Sequence, residues 1–408
     1  MQRLMIACLL GLLCASAATA HAENWPCWRG PRGDGTSAEK GLPTQWSGTE
    51  NIAWKTALPG TGHASPIVWE DRIFTVSCDE AAHQRILVSL DRRTGKILWK
   101  KVVLESPLEK KHQLNSFASS TPATDGERVY VTFLDQGEMV VSAYDFDGNQ
   151  SWSVRPGAFS SVHGYCSCPV IFEDKLIVNG DHDGNSYIVA LEKATGKTIW
   201  KTPREYKTRS YVTPIIREFD GRTQMILSGS KSVASYDPRT GEQHWLMDGP
   251  TEQFVASLVD NGSLVFLTAG FPEYHILAIR PNGRGKVGDD RIVWRTQKGA
   301  GYVPSPVIAG DYLLVVTDGG VGTCFEASTG ERMWMERLGP HYSASLIEAD
   351  GLVHFLDDNG VTKIVRPGPK LDIVAENKLG ESCFASPAIS HGQILIRANQ
   401  HLYAIGAK

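Results

Sequence analysis

Beyond residue 22 this 408-residue chain has no apolar run long enough to cross a bilayer, so no transmembrane segment is expected. It has no block of like charge, and its net charge is only −4, which argues against a nucleic-acid surface or an anionic membrane face. No Cys-x-x-Cys-His occurs, which excludes covalent haem of that type, and neither Gly-x-Ser-x-Gly nor His-Glu-x-x-His is present. Six cysteines follow residue 22 (Cys27, Cys78, Cys166, Cys168, Cys324 and Cys383), too scattered for a compact disulfide framework. A bridge from Cys27 to Cys78 or to another cysteine is left open by the sequence.

The long apolar run that does exist lies at the start. Arg3 is followed by an apolar stretch over 4–14 and by Ala20-His21-Ala22, an A-x-A-like cleavage site. Residues 1–22 therefore read as a signal peptide, and the protein as periplasmic or secreted. A lipoprotein anchor is the weaker alternative, because Leu13 is bulky before Cys14 and Cys8 sits too early. Residues 23–50, rich in Gly, Pro and Trp, read as an N-terminal arm laid across blade edges and anchored by Trp25 and Trp28.

What is abundant is one phrase: SLDRRTGKILW at 89–99, ALEKATGKTIW at 190–200, SYDPRTGEQHW at 235–245 and CFEASTGERMW at 324–334, with a looser AYDFDGNQSW at 143–152. A period of about 40–50 residues is that of a four-stranded propeller blade. The Asp and Gly suit a tight turn, Asp by bonding back to the backbone and Gly by supplying the left-handed conformation. The Trp then begins a fourth strand.

Units open near Ser65-Pro66, Thr121-Pro122, Cys168-Pro169, Thr213-Pro214, Ser257-Leu258, Ser305-Pro306, Ser345-Leu346 and Ser386-Pro387. The fourth-strand Trp positions are Trp99, Trp152, Trp200, Trp245, Trp294 and Trp334, with Val374 standing in for the seventh unit. They read as packing between neighbouring blades. The eighth unit ends after three strands, and the run 51–60 with Trp54 supplies the fourth, since an open edge would be an aggregation hazard. The expected fold is all-β: an eight-bladed β-propeller of four-stranded antiparallel blades over 51–408, closed by pairing N- and C-terminal strands. Seven blades remain the alternative if 343–383 is not a separate unit.

The A-x-D-x-x-T-G-x-x-x-W phrase resembles the pyrroloquinoline-quinone (PQQ) repeat, shared by quinoprotein dehydrogenases and by the propeller lipoprotein of the outer-membrane β-barrel assembly machine. NWPCWRGPRGDG at 24–35 resembles the lead of PQQ-like propellers of planctomycete-type bacteria. The dehydrogenase resemblance implies a quinone held between a Trp and a disulfide of adjacent cysteines, with Ca²⁺ or a lanthanide bound by Glu, Asn and Asp. This chain has no Cys-Cys pair, and Cys166-Ser167-Cys168 cannot form that flat ring without strain.

Other chemistry-bearing patterns are weak. His163, Cys166 and Cys168 carry metal-ligand types but lack a complete set, so buried thiols are the better reading. Asp181–Asn185 lacks the late Glu of a calcium loop and reads as a hairpin turn between second and third strands. Gly283-Arg284-Gly285-Lys286 lacks the strand and helix of a phosphate cradle.

The sharpest site signal comes from aligning the units on their openings. Just before each stand His63, Tyr165, Tyr211, Phe254, Tyr302, Tyr342 and Phe384, flanked by Asn115, Phe117, His163, Arg209, Gln253 and His341. These connections surround one mouth of the channel, so the residues form either a ligand funnel of aromatics and a few polar groups or a filler of the channel. The expectation is an exported, monomeric, non-catalytic binding or scaffolding propeller without cofactor, engaging a protein or glycan at the channel mouth or blade rims. A PQQ and Ca²⁺ oxidoreductase, or a glycan-active hydrolase or lyase with His and Tyr as acid and base, are the alternatives.

Overall fold

Each repeat converts its alternating apolar runs into an up-and-down antiparallel sheet. The computed structural model describes residues 22–407, and residues 1–21 of the expected signal peptide lie outside them. Blade 1 sets the plan, from the axis outwards: Ile67–Trp69, Arg72–Asp79, Gln84–Asp91 and Ile97–Glu105. Blades 2 to 7 open on Ala123–Thr124, Val170–Phe172, Ile215–Phe219, Val259–Asp260, Val307–Ala309 and Ile347–Ala349. Blade 8 holds Ala388–Ser390, Gln393–Arg397 and His401–Ile405, and Ile52–Ala57 pairs antiparallel to the last of these. The ring therefore has eight blades, closed by both ends of the chain, and the weak unit at 343–383 is a blade in its own right. No helix among the described residues is long and apolar enough to cross a membrane.

The Thr-Gly and Trp of the recurring phrase meet across blades. Trp54 of blade 8 donates Nε1–H to the carbonyl of Arg92 in the blade 1 turn, at 2.8 Å. Trp99, Trp152, Trp200 and Trp294 likewise reach Phe146, Lys193, Pro238 and Ala327 in the turn of the next blade. The ring of Trp54 lies on Gly95, where φ is +71° and an added Cβ would come within 2.4 Å of the indole. Glycine is thus required twice, for the left-handed turn and for the approach of the neighbouring indole. Opposite each Trp the third strand carries a small residue: Ala404, Ser89, Ala143, Ala190, Ser235, Ala278 or Cys324.

Three blades depart from the scheme, and in blade 6 Trp334 Nε1 has no acceptor in the neighbouring blade. In blade 7 the residue in register with the Trp positions is Ala375, not Val374, because a bulge skips Val374. Its partner is Ile364, so bulk moves from the outer strand to the inner one. In blade 4, Trp245 donates within its own blade to Gln224, whose amide reaches Pro281. The enlarged turn of unit five is used otherwise: Gly285–Val287 adds a parallel fifth strand beside Gln243–Asp248.

His354 in blade 7 is only 3 % exposed, its Nδ1 has no partner, and the Trp46 ring stacks over it at 6.3 Å. Burial pushes its pKa down to about 4. A histidine depressed in the folded state takes up its proton preferentially when unfolded, so stability is lost as pH falls below about 6.5 towards 4. Between pH 7 and pH 5 the expected loss from this group is about 2 kcal/mol. Urea denaturation at the two pH values should show a smaller acid loss in His354→Leu than in the parent. An equal loss would remove His354 from the account.

Candidate functional site

The Ser or Thr that opens each unit builds the neck of the channel. Its backbone N–H donates to the side chain of the same position in the next blade: Ser65 to Thr121 Oγ1 at 3.0 Å, Thr121 to Cys168 Sγ at 3.2 Å and Cys168 to Thr213 Oγ1 at 3.3 Å. On the other side Ser257 donates to Ser305, Ser305 to Ser345 and Ser345 to Ser386, at 2.8–3.0 Å. A short hydroxyl is needed because it must accept within a crowded neck, and Cys168 fills one place with a thiol. That thiol is therefore part of a girdle of hydrogen bonds.

The N-terminal arm does not merely cross blade edges. Trp25 exchanges both backbone hydrogen bonds with Val68 in the innermost strand of blade 1. Pro26 O accepts from Thr124 N, Arg29 Nη2 donates to Pro306 O at 2.5 Å, and Arg217 Nη2 donates to Arg32 O. Thr36–Ser37 pairs parallel with Glu348–Ala349, and Glu23 O accepts from Ser390. Residues 23–37 thus stopper the channel against the innermost strands of seven blades or their edges. Only the following stretch lies outside, where Trp46 N bonds Asn377 of the blade 7 outer strand. The reason is unmet backbone valence: innermost strands expose edge N–H and C=O groups to the axis, and an irregular segment can satisfy them all. Trp28, expected on a blade edge, points up the channel and donates to Ser257 Oγ at 3.0 Å.

Above Trp28 opens a cavity of about 410 Å³, lined from all eight blades. His63, Asn115, His163, Tyr211, Tyr302, His341 and Phe384 line it, as do Trp28, His112, Leu114, Tyr274, Asp318 and the neck hydroxyls. Other residues of the expected funnel face elsewhere. Tyr165, Phe254 and Tyr342 pack into the cores between blades. Their chain neighbours Cys166, Val255 and Ser343 line the cavity instead, because successive side chains of an extended segment point to opposite sides. Phe117 lies under the Lys111 ammonium in a separate recess. Arg209 turns to Asp183 at 2.6 Å, and buried Gln253 accepts from the Tyr302 hydroxyl at 3.2 Å. His112 was missed because it lies earlier on the connection into blade 2 than the positions compared, and Tyr274 and Asp318 because they lie on turns between second and third strands.

These turns and connections are braced by acids. Asp181 binds Arg204 and Ser210, Asp358 takes Ser343 N at 2.7 Å and His341 Nδ1 at 2.5 Å, and Glu381 takes His401 and Tyr403. Asp318 accepts Tyr302 N on Oδ2 at 2.8 Å and Val303 N on Oδ1 at 3.1 Å, and burial raises its pKa. His63, stacked on Phe384 at 4.6 Å, is pushed down to about 3 by burial, aided by Arg397 and Lys111, and is neutral at physiological pH. Burial lowers His163, whose Nδ1 lies 3.1 Å from the Tyr211 hydroxyl, and raises Tyr302 to about 12. The cavity therefore offers aromatic faces and neutral hydrogen-bonding groups, with Asp318 on one wall.

The side chains at this mouth do not form the quinone cradle implied by the dehydrogenase resemblance. Cys168 is engaged in the neck, the six cysteines among the described residues are unpaired, and no three His, Cys, Asp or Glu of the described residues converge as a ligand set. Asp181 and His182 of the 181–185 turn are likewise committed, to Arg204 and to the Asn185 carbonyl.

The family model described as outer membrane protein assembly factor BamB matches residues 38–116, 82–284 and 275–366. Among solved structures, BamB from Moraxella catarrhalis superposes with a TM-score of 0.64 at 14 % identity, covering 88 % of this chain and 97 % of that one. A quinohemoprotein alcohol dehydrogenase from Comamonas testosteroni gives 0.55 at 13 % identity, covering 94 % and 81 %. Identities this low speak for shared fold only. No curated protein matches the sequence. With a family match running across most of its length and a closed ring of eight four-stranded sheets, the chain belongs to the PQQ-like repeat family of the outer membrane protein assembly factor BamB.

Proposed function

We propose that this protein is an exported, non-catalytic propeller that holds a polypeptide partner at the cavity mouth. The observation carrying this reading is the rim. Leu114, Val162, Phe271, Tyr274 and Val303 are exposed on connections and turns at the cavity mouth, and Leu114, Tyr274 and Val303 also line the cavity. Exposed apolar side chains about a concave site suit a protein segment with one or two side chains inserted, and aromatic residues are the usual anchors of such contacts. The description of the family, an assembly factor, supports a scaffolding role. A glycan would instead be met by hydrogen-bonding groups at the rim.

Selection of displayed random peptides on the purified protein tests this. Peptides should be recovered, and Val303→Asp or Leu114→Asp should weaken them at least ~10-fold, as for central interface anchors. Ile373→Asp, on an outer strand, should not. Recovery of no peptide, together with saturable binding on an oligosaccharide array, would overturn the reading.

A further inference from the structure

We infer that the Asp318 wall of the cavity is a subsite for a basic side chain, lysine or arginine, of the bound segment. This rests on the reading that the mouth receives a polypeptide. Five acids that brace this mouth have side-chain partners within the protein: Asp181, Asp183 and Asp135 pair with Arg204, Arg209 and Arg155, and Asp358 and Glu381 bond the rings of His341 and His401. Asp318 differs. Among the described residues no Lys, Arg or His lies within ion-pair distance, and its recorded bonds are the two backbone N–H groups of Tyr302 and Val303.

Those two bonds fix the carboxylate. One N–H reaches each oxygen, which leaves a lone pair on each for a further donor. The fixed pair of oxygens suits the fork of a guanidinium and also accepts an ammonium. A carboxylate partly withdrawn from water favours a counter-charge, and the cavity it lines is where one would arrive. Tyr302, Tyr274 and Trp28 line the same cavity, and aromatic faces favour cations electrostatically. His63 is neutral and adds no opposing charge, and His341 is bonded to the Asp358 carboxylate.

The test uses N-acetyl-arginine amide, N-acetyl-lysine amide and the uncharged N-acetyl-norleucine amide, followed by saturation-transfer NMR on the purified protein. The arginine or the lysine compound should bind at least ~10-fold tighter than norleucine, as for a charge-assisted pair, and the two arms show which head group fits. Asp318→Asn should abolish that preference. Because this change touches the turn, Tyr274→Leu at an exposed position serves as a second variant and should reduce the preference without altering thermal stability. Equal binding of all three compounds, or an undiminished preference in Asp318→Asn, would overturn the subsite. Peptides selected by display that bind Asp318→Asn as tightly as the parent would also overturn it while leaving the polypeptide reading intact. A basic preference with no peptide recovered would do the reverse.

Discussion

Replacing Trp54 by alanine should lower the stability of the protein by about 4 kcal/mol in urea denaturation, the usual cost of emptying a buried aromatic site. Trp54 is 8 % exposed, lies on the strand that closes blade 8, and docks on the first turn of blade 1. It therefore holds the seam at which the two ends of the chain meet. Gly95→Ala should be costly through the same contact, since its methyl group would enter the indole ring from a left-handed backbone. Once the indole is gone that clash is relieved, so the double variant should lose less than the sum of the two. Additive losses, or a Trp54→Ala cost under about 1 kcal/mol, would mean that the seam is held by strand pairing alone.

Deleting residues 23–39 should lower the thermal midpoint by about 10 °C, because it strips Trp25, Arg29 and Glu39 from buried positions and bares the inner strand edges. It should also turn the blind cavity into an open channel. Trp28→Ala separates the two roles of the arm. It leaves the Trp25 lock on Val68 in place but removes the cavity floor, so stability should hold within a few degrees while affinity for selected peptides falls at least ~10-fold. Unchanged affinity in Trp28→Ala, measured by fluorescence polarisation of a labelled peptide, would show that ligands stop above the floor.

Much of the ring was legible because its determinants are local and repeated. The Asp-x-x-Thr-Gly turn, the alternating strands and the Trp on the fourth strand each sit within a dozen residues and recur at a fixed spacing. The missing strand of unit eight was legible by subtraction, and Ile52–Ala57 fills it. The substitute for Trp in blade 7 was misplaced by one residue, because a bulge changes register without leaving a mark in composition.

The site was only half legible, for the same physical reason. The connections before each opening do surround the cavity, but alternation along them decides which side chain faces it. Tyr211 and Tyr302 point in, whereas Tyr165, Phe254 and Tyr342 point between blades, and a one-residue difference in the path of a connection reverses the outcome. Asp318 could not be singled out, because its distinction is the absence of a side-chain partner that comes, for its counterparts, from other segments.

The sequence alone determined the blades, their number within one, the closing strand and the packing of the indoles between blades, since each follows from hydrophobic period and turn chemistry acting over short spans. Tertiary structure decided three things that no span of the chain encodes by itself. It put the arm inside the channel, where backbone groups from distant blades accept it. It linked the opening hydroxyls into a girdle, which exists only once neighbouring blades stand side by side. It left one carboxylate of the mouth facing a cavity without a counter-charge.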